Sequence, residues 1–162
     1  MDTRQRDNAI CEWLARAHQN PAQAWREWSP SGGGVALLPL GRAFVAPRLP
    51  EALVYAAAGT VDLQEAAAYL AQALGPVLFD GRTMGGTYYP LTWPLTVPVW
   101  KHQAVAPLLG RGTYLGVPRI ERSQPPGTYW AVPPRHVGDL CEPAAVDALI
   151  TLACNTARGT KR

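Results

Sequence analysis

The sequence predicts an α+β fold in which a mostly antiparallel sheet packs against helices and is flanked by N- and C-terminal helices. Two observations lead to this class. A Gly-Thr-Tyr phrase recurs at residues 112–118 and 127–133, and both copies have the Thr, Tyr, Trp and Val content typical of strands. Apolar residues recur at helical spacing near both ends of the chain. A chain of 162 residues has the length of one domain. We expect that single domain over residues 1–157.

Two N-terminal helices are predicted within residues 4–28. The first has an apolar stripe at i, i+3, i+4 and i+7, formed by Ile10, Trp13, Leu14 and Ala17. This stripe predicts a helix from Arg4 to His18. Asn20 and Pro21 suit the N-cap and first turn of a second helix, which should end at Trp28.

A β-rich body is predicted over residues 35–134. It begins with an apolar strand over 35–40, which we expect to form a hairpin with a second strand over 43–49. The other elements predicted before the Gly-Thr-Tyr strands are helices over 50–58 and 62–74 and a hairpin over 77–91.

The two Gly-Thr-Tyr strands are predicted to pair with each other, antiparallel, through a polar loop from Arg119 to Pro126. Side chains alternate across a strand, so Tyr114 should be exposed if its apolar neighbours face the core. The same alternation predicts an exposed Tyr129 and a buried Trp130.

The final helix is predicted over residues 143–157. Its buried stripe is formed by Ala145, Val146, Leu149, Ile150 and Ala153. Residues 158–162 follow as a basic tail that we expect to fray.

The net charge of +3 is concentrated in one part of the chain. Residues 101–136 hold five lysines and arginines against one glutamate, a local excess of +4. A basic surface interleaved with aromatic rings suits nucleic acid, because phosphates attract cations and unstacked bases stack on flat side chains. The nucleic-acid-binding residues predicted on this basis are Lys101, Arg111, Tyr114, Arg119, Arg122, Tyr129 and Arg135. The alternative is a solvated basic surface with the aromatic residues in the core.

A proline-rich block from Leu91 to Val99 supports a different function. We interpret it as an extended, ordered loop that docks a protein partner, which would make the chain a protein-interaction or regulatory subunit. The partner-binding residues predicted on this basis are Trp93, Pro94, Pro98 and Trp100.

The sequence offers no pattern typical of a catalytic, metal or cofactor site. It has no Asp-x-Asp, no Cys-x-x-Cys and no His-x-x-x-His. His102 and His136 lack a serine, cysteine or threonine in a nucleophile context, and Asp80 is interpreted as the first residue of an Asp-Gly turn. We therefore expect an interaction module rather than an enzyme, with no metal and no cofactor.

The cysteine content bears on the compartment. The three cysteines are odd in number and widely spaced, which fits a reducing compartment better than a disulfide framework. No segment approaches the roughly 20 apolar residues of a membrane span. The sequence thus predicts a cytoplasmic protein without membrane contact, and it leaves the oligomeric state open.

Two segments carry a resemblance to a known family. A helix with Trp25-x-x-Trp28 leads through glycines into Val35-Ala36-Leu37-Leu38-Pro39-Leu40, and a late strand ends in Val132-Pro133-Pro134. Both resemble the N-terminal primase-polymerase domain of bifunctional replication proteins of plasmids and phages. The overall composition is similar to that of small uncharacterised proteins of high-GC actinobacteria.

The resemblance implies a link to replication or mobile elements. In that family a metal-binding Asp-x-Asp follows an apolar strand, whereas Asp80-Gly81-Arg82 keeps one acid and loses the other. The resemblance therefore implies a catalytically degenerate fold that binds nucleic acid or a replication partner. A divergent nucleotidyltransferase using Asp80 is the enzymatic alternative.

Overall fold

The computed structural model describes residues 2–82, 85–94 and 99–160 and confirms the α+β class. The α-helices are α1 (Thr3–Ala15), α2 (Pro21–Trp28), α3 (Glu51–Ala58), α4 (Leu63–Ala73) and α5 (Pro143–Thr160). The strands are β1 (Val35–Pro39), β2 (Ala46–Pro47), β3 (Leu49–Pro50), β4 (Val77–Asp80), β5 (Thr87–Pro90), β6 (Leu108–Leu109), β7 (Tyr114–Pro118) and β8 (Thr128–Val132). A 3-10 turn, Pro30–Gly32, follows α2.

The central sheet has the strand order β3-β5-β4-β8, and its neighbouring strands are antiparallel. The predicted hairpin over 77–91 is confirmed, because β4 pairs with β5 from Val77 opposite Pro90 to Asp80 opposite Thr87. Two antiparallel pairs lie outside this sheet, β2 with β6 and β1 with β7. The β1–β7 pair, residues 35–39 with 114–118, is called the ribbon below.

The predicted pairing of the two Gly-Thr-Tyr strands is wrong. β7 pairs with β1, with Pro39 opposite Tyr114, and β8 pairs with β4. The predicted hairpin between residues 35–40 and 43–49 is wrong as well. Pro47, which has no N–H to donate, interrupts the second segment, and its two short parts pair elsewhere, β2 with β6 and β3 with β5, while β1 pairs with β7.

Both faces of the central sheet are buried. Leu78 and Trp130 lie in a cluster with residues of α1, α2 and the ribbon. Phe79 and Tyr129 lie in a second cluster with residues of α3, α4 and α5. The sheet is therefore the middle layer of the molecule.

This layering explains why one predicted exposure is wrong. Tyr129 is only 6 % exposed, because residues of α3, α4 and α5 cover its face of the sheet. The prediction assumed that one face of the strand meets solvent. Trp130 is fully buried and Tyr114 is 62 % exposed, which confirms both predictions for these side chains. The pairing shifts between Val77 opposite Val132 and Leu78 opposite Trp130, so β8 holds one extra residue as a bulge.

The helices follow their predicted stripes and differ mainly at their ends. α1 ends at Ala15 rather than at His18, since the N–H groups of residues 17 and 18 donate three residues back, to Leu14 and Ala15, in a tighter turn. α5 continues to Thr160, three residues beyond its predicted end, and residues 161 and 162 of the predicted tail lie outside the described residues. Within the described ranges, the helices are all too short or too polar to traverse a bilayer.

Two adjacent leucines of β1 test the assignment of its faces. Leu38 is fully buried and Leu37 is 54 % exposed. Leu38→Ala should lower the free energy of unfolding by about 3 kcal/mol, because it removes core contacts and leaves a cavity. Leu37→Ala should change it by less than about 0.5 kcal/mol. Urea unfolding followed by tryptophan fluorescence measures both, and equal losses would contradict the assigned faces.

Candidate nucleic-acid interface

One face of the ribbon is turned to solvent. Its most exposed side chains are Leu37 of β1, at 54 %, and Tyr114 of β7, at 62 %. Alternate residues of a strand point to opposite faces, so these two share the outer face with Val35, Pro39 and Gly116. The inner face packs in the core through Ala36, Leu38, Leu115 and Val117. The outer face is thus an apolar and aromatic surface open to a ligand.

Gly116 adds no side chain to the middle of the outer face. It lies opposite Leu37 in the register. A Cβ atom at this position would stand 3.2 Å from Val35 Cγ1, which is a tight contact. Glycine at this position thus accommodates the side chain of Val35, which shares the outer face with Leu37 and Tyr114.

Two arginines lie at the Tyr114 end of the ribbon. Gly41 has a φ of +113°, and a Cβ atom on it would stand 2.9 Å from the backbone nitrogen of Arg111. Glycine therefore allows the turn that carries Arg42 to approach Arg111. Arg42 donates to the carbonyl of Arg16 at 3.1 Å. Both arginines and Tyr114 line a cavity of about 360 Å³.

Two further arginines lie at the Pro118 end of the ribbon. Arg119 Nε is 3.5 Å from Glu121 Oε2, and Arg122 donates from Nη2 to the carbonyl of Pro126 at 3.0 Å. Both line a cavity of about 550 Å³ beside the residue that precedes β1. At about 3.3 Å per residue, β7 separates the two arginine pairs by at least about 13 Å.

The surroundings of the ribbon are positive on balance. Arg42, Arg111, Arg119 and Arg122 line the cavities at its two ends together with Glu121, and Glu27 lies at the edge of β1, so these six side chains have a net charge of +2. Glu27 Oε2 accepts the backbone N–H of Leu37 at 3.2 Å, so this acid caps the free edge of β1. The excess of two positive charges favours an anionic ligand.

Comparison of the chain with models of protein families, with curated proteins and with solved structures finds no match. The exposed face of the ribbon and the arginines at its two ends are therefore the features from which a function is inferred.

The structure brings only some of the predicted nucleic-acid-binding residues together. Those around the ribbon are Arg111, Tyr114, Arg119 and Arg122. Lys101 is ion-paired with Asp147 of α5 at 3.3 Å. Arg135 is ion-paired at 3.2 Å with Asp139, in the segment before α5. Tyr129 is in the core. Of the basic surface predicted from the sequence, only these four residues near β7 lie together.

Sequence reasoning missed Arg42 and Leu37. Arg42 follows β1, in a part of the chain whose charges are slightly negative in sum. It reaches Arg111 only because β1 pairs with β7, a contact between distant parts of the chain. Leu37 belongs to the apolar strand predicted over 35–40, yet it lies on the outer face of the ribbon. No local signal in the sequence indicates either placement.

The predicted partner-binding block has one exposed ring. Trp93 is 43 % exposed, and Pro94 is half-buried. Trp100 is half-buried, donates from Nε1 to the carbonyl of Ala106 at 2.7 Å, and therefore serves as a packing residue. Pro98 lies outside the described residues. The docking hypothesis requires exposed aromatic rings. Of the two predicted tryptophans, Trp93 is exposed and Trp100 is half-buried.

Asp80 is held by a neighbouring arginine. Arg82 Nε donates to Oδ1 at 3.0 Å and Nη2 to Oδ2 at 3.0 Å, and the backbone N–H of Arg82 also donates to Oδ1. Both oxygens that a metal would need are thus engaged. Among the residues that the structure describes, no group of three or more His, Cys, Asp or Glu side chains is placed to hold a metal ion. A nucleotidyltransferase based on Asp80 would first have to release Arg82.

Substitution of Asp80 tests this structural role. Hydrogen bonds from Arg82 hold the pKa of the Asp80 carboxyl below its ordinary value. A carboxyl with a lowered folded pKa stabilises the fold above its unfolded pKa of about 3.9, and this contribution is lost as pH falls through the folded pKa. Asp80→Asn should therefore reduce stability at pH 7 and flatten its decline below about pH 4.

Urea unfolding at a series of pH values measures this effect. Arg82→Gln should flatten the decline in the same way, because it removes the cause of the lowered pKa. An Asp80→Asn variant that keeps the pH profile of the unaltered protein would contradict the role assigned to the pair.

Proposed function

We propose that the protein is a non-catalytic interaction module that binds single-stranded nucleic acid across the outer face of the ribbon. The observation that carries the proposal is the exposed ring of Tyr114 beside Leu37, with a pair of arginines at each end of the same strand pair. A single strand offers what this surface lacks, namely phosphates for the arginines and unstacked bases for the ring.

The spacing of the arginine pairs fits an extended strand. Several nucleotides are needed to cross the length of β7, and proteins that bind single strands contact about 4–16 nucleotides per small β domain. A base stacked on Tyr114 would place its own phosphate near Arg42 and Arg111. The strand would then reach Arg119 and Arg122 at the far end.

The backbone of β7 adds hydrogen-bond donors along this path. Leu40 donates to the carbonyl of Thr113 at 2.9 Å, which fixes the alternation of ladder bonds. By that alternation the N–H groups of Tyr114 and Gly116 point away from β1. They lie on the edge of β7 that does not pair with β1, where they can donate to the oxygen atoms of a strand that reaches this edge.

The first test is the salt dependence of binding. If each of the four arginines contacts one phosphate, the slope of log affinity against log salt should be about −3, from roughly −0.7 per phosphate of a single strand. Arg111→Ala should reduce this slope by about 0.7 and weaken binding at low salt. Fluorescence anisotropy of a labelled oligonucleotide of about 12 nucleotides measures both quantities.

Arg158→Ala is the matched control, since Arg158 is an exposed arginine of α5. It should leave affinity and slope unchanged. Absence of binding at low salt, or binding that does not weaken as salt is added, contradicts the proposal.

The second test concerns the ring of Tyr114. Tyr114→Ala should weaken oligonucleotide binding about tenfold, because stacking contributes about 1–3 kcal/mol per base. The salt slope should stay unchanged, since no charge is removed. Tyr114→Phe keeps the ring and should bind like the unaltered protein.

Trp93→Ala is the control for this ring, because Trp93 is an exposed aromatic side chain outside the ribbon. It should not change affinity. Binding that is lost in Trp93→Ala and retained in Tyr114→Ala would place the interface on the proline-rich block instead.

A further inference from the structure

A second cavity lies beside the loop that joins β7 to β8. It has a volume of about 730 Å³. Tyr88 and Tyr129 of the central sheet line it, the start of α4 contributes a wall that includes Gln64, and the loop contributes Ser123 and Gln124. Ligand sites in proteins measure about 300–1,000 Å³, so this cavity has room for a small organic molecule.

The lining of this cavity is largely uncharged. Of the residues described around it, Asp62 alone carries a charge, and its carboxylate accepts the N–H of Glu65 at 2.9 Å as the N-cap of α4. Gln64 and Gln124 each offer an amide that donates and accepts hydrogen bonds. The edges of nucleobases carry the same mixture of donors and acceptors.

Tyr129 offers a further polar group. It is 6 % exposed and lines the cavity. Its hydroxyl makes no hydrogen bond with the residues that the structure describes. A tyrosine hydroxyl has an ordinary pKa of about 10 and keeps its proton at neutral pH, and burial raises the pKa of Tyr129 further, so the hydroxyl is a donor. Tyr129, which is buried and lies away from the ribbon, thus supplies a hydrogen-bond donor to this cavity.

The loop connects this cavity to the arginines of the ribbon. Arg122 and Ser123 are adjacent in the chain, yet Arg122 lines the cavity at the Pro118 end of the ribbon and Ser123 lines the larger one. In a nucleotide, a sugar separates the phosphate from the base. Arg122 is therefore placed to contact the phosphate on one side of the loop, and Ser123 is placed near the base on the other side.

We infer that the 730 Å³ cavity takes one nucleobase of the bound strand, while Arg119 and Arg122 hold the phosphate beside it. The inference rests on the proposed function, because the strand that crosses the ribbon supplies the base. The base is read by the amides of Gln64 and Gln124 and by the Tyr129 hydroxyl.

Mononucleotides test the cavity separately from the ribbon. Each of the four nucleoside 5′-monophosphates is titrated into the full chain by calorimetry, with ribose 5-phosphate as a probe that lacks the base. At least one nucleotide should bind, and it should bind at least about tenfold more tightly than ribose 5-phosphate, since the base carries the recognition.

A variant that fills the cavity gives the matched comparison. Ala67 of α4 lines the cavity and is half-buried, whereas Ala68 is exposed and does not line it. Ala67→Phe should weaken mononucleotide binding at least about tenfold, and Ala68→Phe should leave it unchanged. Gln124→Ala provides a second variant that leaves the helix intact, with exposed Gln72→Ala as its control.

The outcomes separate this inference from the proposed function. Equal affinity for ribose 5-phosphate and nucleotides, or unchanged affinity in Ala67→Phe and Gln124→Ala, overturns the base cavity. Oligonucleotide binding that depends on Tyr114 then still supports the ribbon. Mononucleotide binding that is lost in Ala67→Phe, without any oligonucleotide binding, supports the cavity and overturns the ribbon as the interface.

Discussion

Two buried indole groups hold β7 in place. Trp28 of α2 donates from Nε1 to the carbonyl of Val117 at 2.8 Å, and Trp130 of β8 donates to the carbonyl of Pro118 at 3.2 Å. Both side chains are at most 2 % exposed, so an indole left without its acceptor would cost about 1–3 kcal/mol. The ribbon shares no ladder with the central sheet across the described residues, so these two bonds, together with the bond from Leu37 to Glu27 and the packing of its inner face, join it to the body.

This anchor also decides where the arginines lie. The chain leaves β7 at Pro118, a position fixed by the Trp130 bond, so the following loop begins at a defined point between the ribbon and the central sheet. Its first residues, Arg119 and Arg122, face one cavity and Ser123 and Gln124 face the other. Because the loop begins at this fixed position, its arginine side chains line the cavity next to the ribbon and its Gln124 amide lines the cavity next to the central sheet.

Local patterns in the sequence predicted most of the elements and few of their partners. The apolar stripe over 62–74 and the hairpin over 77–91 are short-range signals, and both were confirmed. The pairing of β1 with β7 is long-range and was missed, which left Arg42 out of the candidate site. Tyr129 was misplaced because its sheet is covered on both faces, a fact that depends on where α3, α4 and α5 pack rather than on the strand itself.

The pairing of β1 with β7 has a consequence for synthesis of the chain. Val35 of β1 and its partner Pro118 of β7 are 83 residues apart (118 − 35), which corresponds to about 4–17 s at translation rates of about 5–20 residues per second. During that interval β1 has left the ribosome without its partner, and Leu38 lacks its cover. Glu27 accepts the N–H of Leu37 and Pro39 has no N–H, so the edge of β1 that faces away from β7 has few free donors, whereas the edge that β7 covers stays open to a wrong neighbour until β7 is made.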